Sequence, residues 1–221
     1  MEVIENLMIG DLKIIQDTEQ YRFTSDSVLL ARFLTAKKGE RVADFCSGSG
    51  IVGLHFFAEN KGIESVTLFE MQEPLARMSE KSVVLNGLQE KIQVENLRLQ
   101  EIPPKYIEYF SLILCNPPYE RGGFVSATPE KAVCKSELTL TVGEMCAAAK
   151  RCLKFGGRFA LVQRADRVAE LMYELRSANL EPKKLQFIAG DEGAKPYAVL
   201  IAAVKGGKPG VEVLPTAVNR K

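Results

Sequence analysis

The chain has 221 residues, 46% of them hydrophobic and 26% charged, a composition typical of a soluble globular protein with room for one stable core. We expect a single domain over 1–221, with an N-terminal extension (1–38), a core (39–205) and a C-terminal tail (206–221). The net charge of +1 argues against the broad basic surface of a general nucleic-acid binder. No apolar run has the length of a membrane span, and the acidic start lacks a secretory signal, so we expect no membrane contact.

The cysteines and the histidine limit the possible chemistry. The five cysteines form no C-x-x-C pair, so we expect buried thiols in a reducing, cytoplasmic setting. His55 is the only histidine, which argues against a histidine-based triad or a His-rich metal site. We therefore expect no metal.

The first predicted elements precede the core. Residues 7–23 are predicted to form a hairpin with a turn at Gly10-Asp11. The polar residues 24–27 precede an apolar run at 28–34, which predicts a helix with its own N-cap. Thr24 and Asp26 either cap this helix or close one side of a cofactor pocket.

A glycine-rich loop follows the first predicted strand of the core. Residues 44–50 read Asp-Phe-Cys-Ser-Gly-Ser-Gly, and a helix is predicted directly after them. Gly48 and Gly50 begin a G-x-G-x-x-G pattern, which by itself suggests a dinucleotide site. Asp44, together with Ser47 beside the glycines, favours a different reading, because a pyrophosphate site has no buried anion nearby.

The next predicted strand, 65–70, ends in a single acid. Glu70 lies about 20 residues beyond the glycine loop, where an acid can accept hydrogen bonds from two ribose hydroxyls. Both nucleotide readings use this acid, so it does not separate them. We place Met71, which follows it, in the same candidate site.

The sequence Asn116-Pro117-Pro118-Tyr119 follows an apolar run, 111–115, which reads as a buried strand. Prolines lack the N–H that a central strand needs, so the strand ends in a stiff loop. The Asn116 side-chain oxygen and the Pro117 carbonyl can each accept one N–H, and Tyr119 can stack on a flat group, a contact worth about 1–3 kcal/mol for a base. The loop therefore predicts a site for an amino group on a conjugated system. The alternative is that the prolines only end the strand.

The rest of the chain continues the alternation of strands and helices. We expect a helix over 72–86, a strand over 92–94, a mobile loop over 120–136, a helix over 138–155, a strand over 158–163, a helix over 166–179, and final strands over 185–188 and 197–204. This pattern predicts an α/β, Rossmann-like fold, with a mainly parallel sheet and helices on both faces. The carboxyl ends of parallel strands meet in one crevice, so the motifs should converge there.

These motifs resemble those of class I, S-adenosylmethionine-dependent methyltransferases that act on amino nitrogens. Residues 44–50 match D-x-x-x-G-x-G, and residues 116–119 match Asn-Pro-Pro-Tyr. From segment 21–30 to segment 206–210 the chain is similar to the bacterial tRNA(Val) adenine-37 N6-methyltransferase family. The resemblance implies S-adenosylmethionine as cofactor, tRNA as partner and adenine N6 as the methyl acceptor.

The resemblance also implies a role for each candidate residue. The cofactor would be held by Thr24, Asp26, Asp44, Ser47, Gly48, Gly50, Glu70, Met71, Asn96 and Asn116. The catalytic residues would be Asn116, Pro117, Pro118 and Tyr119, and the substrate contacts Tyr119, Lys183 and Lys184. Asn96 departs from the family pattern, because most relatives have an acid there to receive the adenine amine.

Other functions remain open at this point. A protein glutamine N5-methyltransferase uses the same tetrapeptide, but we do not expect this sequence to form the N-terminal helical substrate domain of those enzymes. An NAD-dependent oxidoreductase is suggested only by the glycine pattern. A catalytically silent RNA-binding or scaffold subunit would leave the intact motifs unexplained.

Overall fold

A computed structural model describes residues 2–7, 9–17, 25–117 and 140–220. The strands in this part of the chain are β1 (Glu2–Asn6), β2 (Lys13–Asp17), β3 (Arg41–Phe45), β4 (Ser65–Glu70), β5 (Ile92–Asn96), β6 (Phe110–Cys115), β7 (Leu153–Arg164), β8 (Leu180–Ala189), β9 (Ala198–Lys205) and β10 (Glu212–Val218). The α-helices are α1 (Ser25–Phe33), α2 (Ile51–Glu59), α3 (Glu73–Leu85), α4 (Val142–Cys152) and α5 (Val168–Ser177).

Eight strands form the central sheet, in the order β10-β8-β9-β7-β6-β3-β4-β5. Strand β9 is antiparallel to both of its neighbours, and every other pair in this sheet is parallel. The strand order reverses between β3 and β6, which is the switch point where open α/β sheets bind ligands. The predicted Rossmann-like fold is confirmed.

Helices cover both faces of the sheet, because alternate strand residues point to opposite sides. Along β6, Leu112 and Leu114 join one buried cluster, to which α1, α2 and α3 contribute. Ile113 and Cys115 join a second cluster, to which α4 and α5 contribute. Each fully buried Leu or Ile side chain stabilises the fold by about 1.5–3 kcal/mol. The two apolar layers thus fix the sheet between two helical layers, as predicted.

The N-terminal hairpin is a separate two-stranded sheet. Its turn contains Gly10 and Asp11, as predicted, both with positive φ. Its strands begin at Glu2, earlier than predicted, and the hairpin rests on α3, where the Ile15 N–H donates to Ser82 Oγ at 2.9 Å.

Two boundary predictions were wrong. The helix predicted over 138–155 ends at Cys152, and β7 begins at once because Leu153 pairs with Phe110 on β6. The segment predicted as a C-terminal tail contains β10, which pairs in parallel with β8. Strand β10 is mostly exposed, so its own sequence carries little of the apolar alternation that marks a strand.

Among the described residues, no helix is long and apolar enough to cross a bilayer. The cysteines in the described ranges are free thiols, with Cys46 half-buried and Cys115, Cys146 and Cys152 buried. Cys134 lies outside those ranges.

Candidate active site

Strands β3, β4, β5 and β6 end side by side at the carboxyl edge of the sheet. Phe45 pairs with Phe69 on β4 and with Cys115 on β6. One residue further along, Glu70 pairs with Asn96 on β5. The predicted glycine loop, the acid and the Asn-Pro segment therefore start from adjacent strand ends, as their positions in the sequence suggested.

Asp44 lies buried under the first turn of α2. Its Oδ2 accepts the Gly53 N–H at 2.8 Å, which occupies one of the donors that a helix N-terminus leaves free. Burial raises the pKa of Asp44 to about 8, although the Gly53 hydrogen bond opposes this shift. In the described part of the chain, Asp44 Oδ1 and the Ser47 hydroxyl are buried polar atoms without a hydrogen-bond partner.

The glycine loop is held from two sides. The Gly48 N–H donates to Glu70 Oε2 at 2.8 Å, and the Gly48 carbonyl accepts from Ser79 Oγ on α3 at 2.9 Å. The Ser47 N–H donates to the Phe69 carbonyl at 3.0 Å. Gly48 and Gly50 both have positive φ, which glycine adopts without steric cost. The loop backbone is thereby fixed next to the end of β4.

Glu70 is buried, and both of its carboxylate oxygens contact backbone amides. Besides Gly48, the Gln72 N–H donates to Glu70 Oε1 at 2.9 Å. Burial raises the pKa of Glu70, and these amide hydrogen bonds act in the opposite direction. The Gln72 side chain and the Met71 amide also hydrogen-bond this carboxylate. A carboxylate has about four acceptor positions, so ligand hydroxyls would have to take the place of the Gln72 side chain.

Asn96 and Met71 both lie next to Glu70. Asn96 Nδ2 donates to the Glu70 carbonyl at 2.8 Å, which leaves the amide oxygen as its acceptor atom. Met71 is 37% exposed in the turn that follows β4. The structure thus brings the predicted residues of β4 and β5 together.

Asn116 is half-buried at the end of β6, and Pro117 after it is buried. The Asn116 Nδ2 donates to the Ser27 hydroxyl on α1 at 2.9 Å. Asp26, next to Ser27, is also buried and accepts the Tyr197 hydroxyl at 2.8 Å. The start of α1 therefore lies against the end of β6. The predicted residues Thr24, Pro118 and Tyr119, and the predicted loop 120–136, lie outside the described residues.

Lys183 and Lys184 are not brought to this edge. Both lie in the first half of β8, and Lys183 Nζ donates to the carbonyls of Lys208 at 3.2 Å and Gly210 at 2.7 Å. Those carbonyls follow the end of β9, which runs antiparallel and so ends at the opposite edge of the sheet. Lys184 lines a cavity there with Thr35 and Arg158.

Sequence reasoning missed the residues that support the site. Ser27 and Ser79 are buried. Each is a polar residue on the apolar face of a helix, and this pattern could have been read from the sequence. Tyr197 and Asn219 gave no such signal: Asn219 Nδ2 donates to Tyr197 Oη and to Ser25 Oγ, both at 2.7 Å, across long sequence separations. Within the described residues, no cluster of three or more His, Cys, Asp or Glu side chains could hold a metal ion.

Residues 20–181 match the family model of the methyltransferase small domain. This match covers more than half of the chain, and the chain belongs to that family. It is a methyltransferase with a Rossmann-like fold, and the alternative of an NAD-dependent oxidoreductase is set aside. Family membership supports S-adenosylmethionine as the methyl donor, as predicted.

Among characterised proteins, the chain is similar to several named tRNA1(Val) (adenine(37)-N6)-methyltransferase. The one from a Shewanella species is 24% identical over 179 residues, covering 80% of this chain and 74% of the relative. The one from Erwinia tasmaniensis is 23% identical over 207 residues, covering 94% of this chain and 84% of the relative.

Solved structures share the fold at low identity. A predicted O-methyltransferase from Agrobacterium tumefaciens superimposes with a TM-score of 0.70 at 20% identity, covering 87% of this chain and 86% of the other. P. horikoshii TYW2, solved in complex with MeSAdo, has a TM-score of 0.65 at 16% identity, covering 93% of this chain and 72% of the other. At these identities the likeness defines the fold alone.

The polar groups at the carboxyl edge fit S-adenosylmethionine. The unpartnered Ser47 hydroxyl and Asp44 Oδ1 are buried polar atoms by the glycine loop, where a ligand with a charged amino acid end can be received. Glu70 places a carboxylate at the end of β4 that could accept a ribose diol in place of the Gln72 side chain, and the Asn96 amide oxygen can accept from an adenine amine. The residues present thus match the polar groups of this cofactor.

Proposed function

We propose that this chain transfers a methyl group from S-adenosylmethionine to the exocyclic N6 amine of an adenine in tRNA. The observation that carries the proposal is the position of Asn116 and Pro117, at the end of β6 and directly beside β3, whose end bears the glycine loop. Methyl transfer requires the amine and the methyl donor to be held in one orientation, and an amine-binding loop beside a cofactor loop can hold them so. The relatives named above carry the same activity in their names.

In this proposal the Asn-Pro segment prepares a weak nucleophile. The lone pair of adenine N6 is delocalised into the ring, so the nitrogen is nearly planar and reacts poorly. Asn116 Oδ1 and the Pro117 carbonyl each accept one N–H of the amine and favour its pyramidal form as positive charge develops. S-adenosylmethionine supplies the electrophilic methyl group when it is bound. The methylated nitrogen is acidic and releases its proton to solvent, so no general base is required.

The cofactor would be held by residues of β3, β4 and β5. Glu70 would accept the ribose hydroxyls, and the Asn96 oxygen would accept from the adenine amine. The glycine loop, with Ser47 and Asp44 beneath it, receives the methionine part. Asp26, buried next to Ser27 at the start of α1, closes the pocket from the other side.

The target base has to leave its helix or loop to reach such a site. Unstacked loop bases cost least to extrude, and aromatic side chains hold them by stacking. Tyr119 is the residue that we propose for this stacking. An adenine in tRNA, as in the names of the relatives, meets these requirements if it lies in a loop.

Transfer of a labelled methyl group tests the proposal. We expect the protein to label tRNA that lacks the modification, and nucleoside analysis to identify N6-methyladenosine. The Asn116→Ala variant, incubated under the same conditions, is the matched control and should transfer little label to tRNA. Labelling of a glutamine in a protein substrate, with none of tRNA, would establish the glutamine N5-methyltransferase instead.

A further inference from the structure

Ser27 is the one side chain among the described residues that hydrogen-bonds the Asn116 amide. Its hydroxyl lies in the first turn of α1, is 1% exposed and accepts Asn116 Nδ2 at 2.9 Å. The two residues are 89 positions apart. No motif in the sequence links them, and the roles proposed above leave Ser27 unused.

The orientation of the Asn116 amide decides whether it can bind an amine. An asparagine side chain has a donor end and an acceptor end of nearly the same shape. Only the oxygen can accept from an amino group, because the NH2 end would place donors against donors. With Oδ1 turned toward an amine, the NH2 end needs an acceptor within the protein, since a buried donor without a partner is costly.

We propose that Ser27 is a positioning residue: its hydroxyl accepts the Asn116 NH2 group and anchors that end of the amide, which leaves the amide oxygen free for the target amine. The proposal rests on the function proposed above and assigns a specific task to the start of α1. Ser27 would act through Asn116 and would touch neither substrate nor cofactor. The same helix end carries Asp26, so α1 would support both halves of the reaction site.

A double-mutant cycle on the turnover rate tests this task. We expect Ser27→Ala to lower kcat for tRNA methylation by roughly tenfold, or about 1.4 kcal/mol in the activation barrier. The same change in an Asn116→Ala background should lower kcat no further, because the amide that Ser27 orients is already gone. The dissociation constant for S-adenosylmethionine should stay within about twofold in both backgrounds.

Two further variants separate positioning from folding. Ser82→Ala removes another buried serine hydroxyl that accepts one N–H, but this hydroxyl lies on α3 beneath the N-terminal hairpin and contacts Ile15, so kcat should be unchanged. Ser27→Thr keeps the hydroxyl and should recover part of the lost rate. In ¹⁵N spectra, the Asn116 side-chain NH2 signals should show faster hydrogen exchange in Ser27→Ala than in the parent protein.

The outcomes distinguish this inference from the function on which it rests. If the parent protein methylates tRNA but Ser27→Ala is equally active, or lowers kcat equally in both backgrounds, then the positioning role alone is overturned. A parent protein that fails to methylate tRNA adenine would overturn the proposed function and this role with it.

Discussion

Asn116 is the residue on which the proposed chemistry depends most directly. We expect Asn116→Ala to lower turnover by roughly 100–1,000-fold, the usual effect of removing one preorganised hydrogen-bond partner. Cofactor affinity should barely change, because the described polar contact of this side chain is with Ser27. Calorimetry with S-adenosylmethionine and steady-state kinetics with tRNA measure the two effects separately. Near-normal turnover would show that the Asn-Pro segment does not bind the amine.

Asp44 predicts a pH dependence of stability. Its folded pKa of about 8 lies above the ordinary aspartate value of 3.8, because burial disfavours the charge. Between these values the folded protein keeps the proton and the unfolded chain releases it, so stability falls as pH rises from about 4 to about 8. One such proton contributes a slope of at most about 1.4 kcal/mol per pH unit.

Asp44→Asn should flatten this dependence, because an amide cannot ionise. Urea unfolding of the cofactor-free protein at several values between pH 5 and pH 8 measures the difference between variant and parent. The exposed Asp191→Asn serves as the control and should follow the parent profile. If the Asp44→Asn and parent profiles run parallel, then the buried carboxyl is ionised throughout this range.

At the scale of elements, α2 packs on β4 through Gly53. A Cβ added at this glycine would lie 2.3 Å from Leu68 Cδ2 and 3.2 Å from Asp44 Oδ2. Gly53→Ala should therefore push the helix off the strand and destabilise the protein by about 1–3 kcal/mol. Denaturant unfolding provides the measurement. Gly190→Ala is the matched control, because a Cβ there meets nothing within 4 Å; equal stability of the two variants would rule out this close packing.

Strand β10 connects the far edge of the sheet to the start of α1. Its exposed residues bury little surface, but Asn219, directly after the strand, contacts Ser25 and Tyr197. We expect Asn219→Ala to raise amide hydrogen exchange in the first turn of α1 by roughly fivefold, from the loss of about 1 kcal/mol. Glu212→Ala, at an exposed position at the start of β10, should leave these rates unchanged. Unaltered exchange in both variants would mean that α1 is held by its apolar face alone.

At the scale of the whole molecule, a net charge of +1 predicts few phosphate contacts. Each contact contributes about −0.7 to −0.9 to the slope of log affinity against log salt, so we expect a shallow slope for tRNA. Lys184 lies at the edge of the sheet opposite Asn116, and any phosphate it contacts is far from the methylated base. Lys183 is the weaker candidate, because its ammonium already contacts two carbonyls.

We therefore expect Lys184→Glu to weaken the binding of full-length tRNA but to leave kcat at saturating tRNA unchanged. A short stem-loop that contains the target adenine should bind the variant and the parent equally. Lys91→Glu, before β5 at the other end of the sheet, is the control for a general change of charge. Filter binding at several salt concentrations measures the effect. A steep salt slope in the parent would contradict the expectation of few contacts.

The sequence alone determined the alternation of strands and helices and the residues at the carboxyl edge. These signals are local: glycine permits the positive φ of the loop at Gly48, and Pro117 ends a strand because proline has no N–H. The carboxyl ends of parallel strands lie at the same edge of the sheet. Local signals were therefore sufficient to predict that Asp44, Glu70 and Asn116 would lie on neighbouring strands.

Only the tertiary structure decided which groups complete the site. Ser27 meets Asn116, and Asn219 meets Ser25, through hydrogen bonds between residues that are 89 and 194 positions apart. Strand β10 exists because β8 offers an unpaired edge, and Lys183 lies far from the crevice because of the direction of β8. Such contacts depend on how the elements pack against one another, and no local propensity of the chain encodes them.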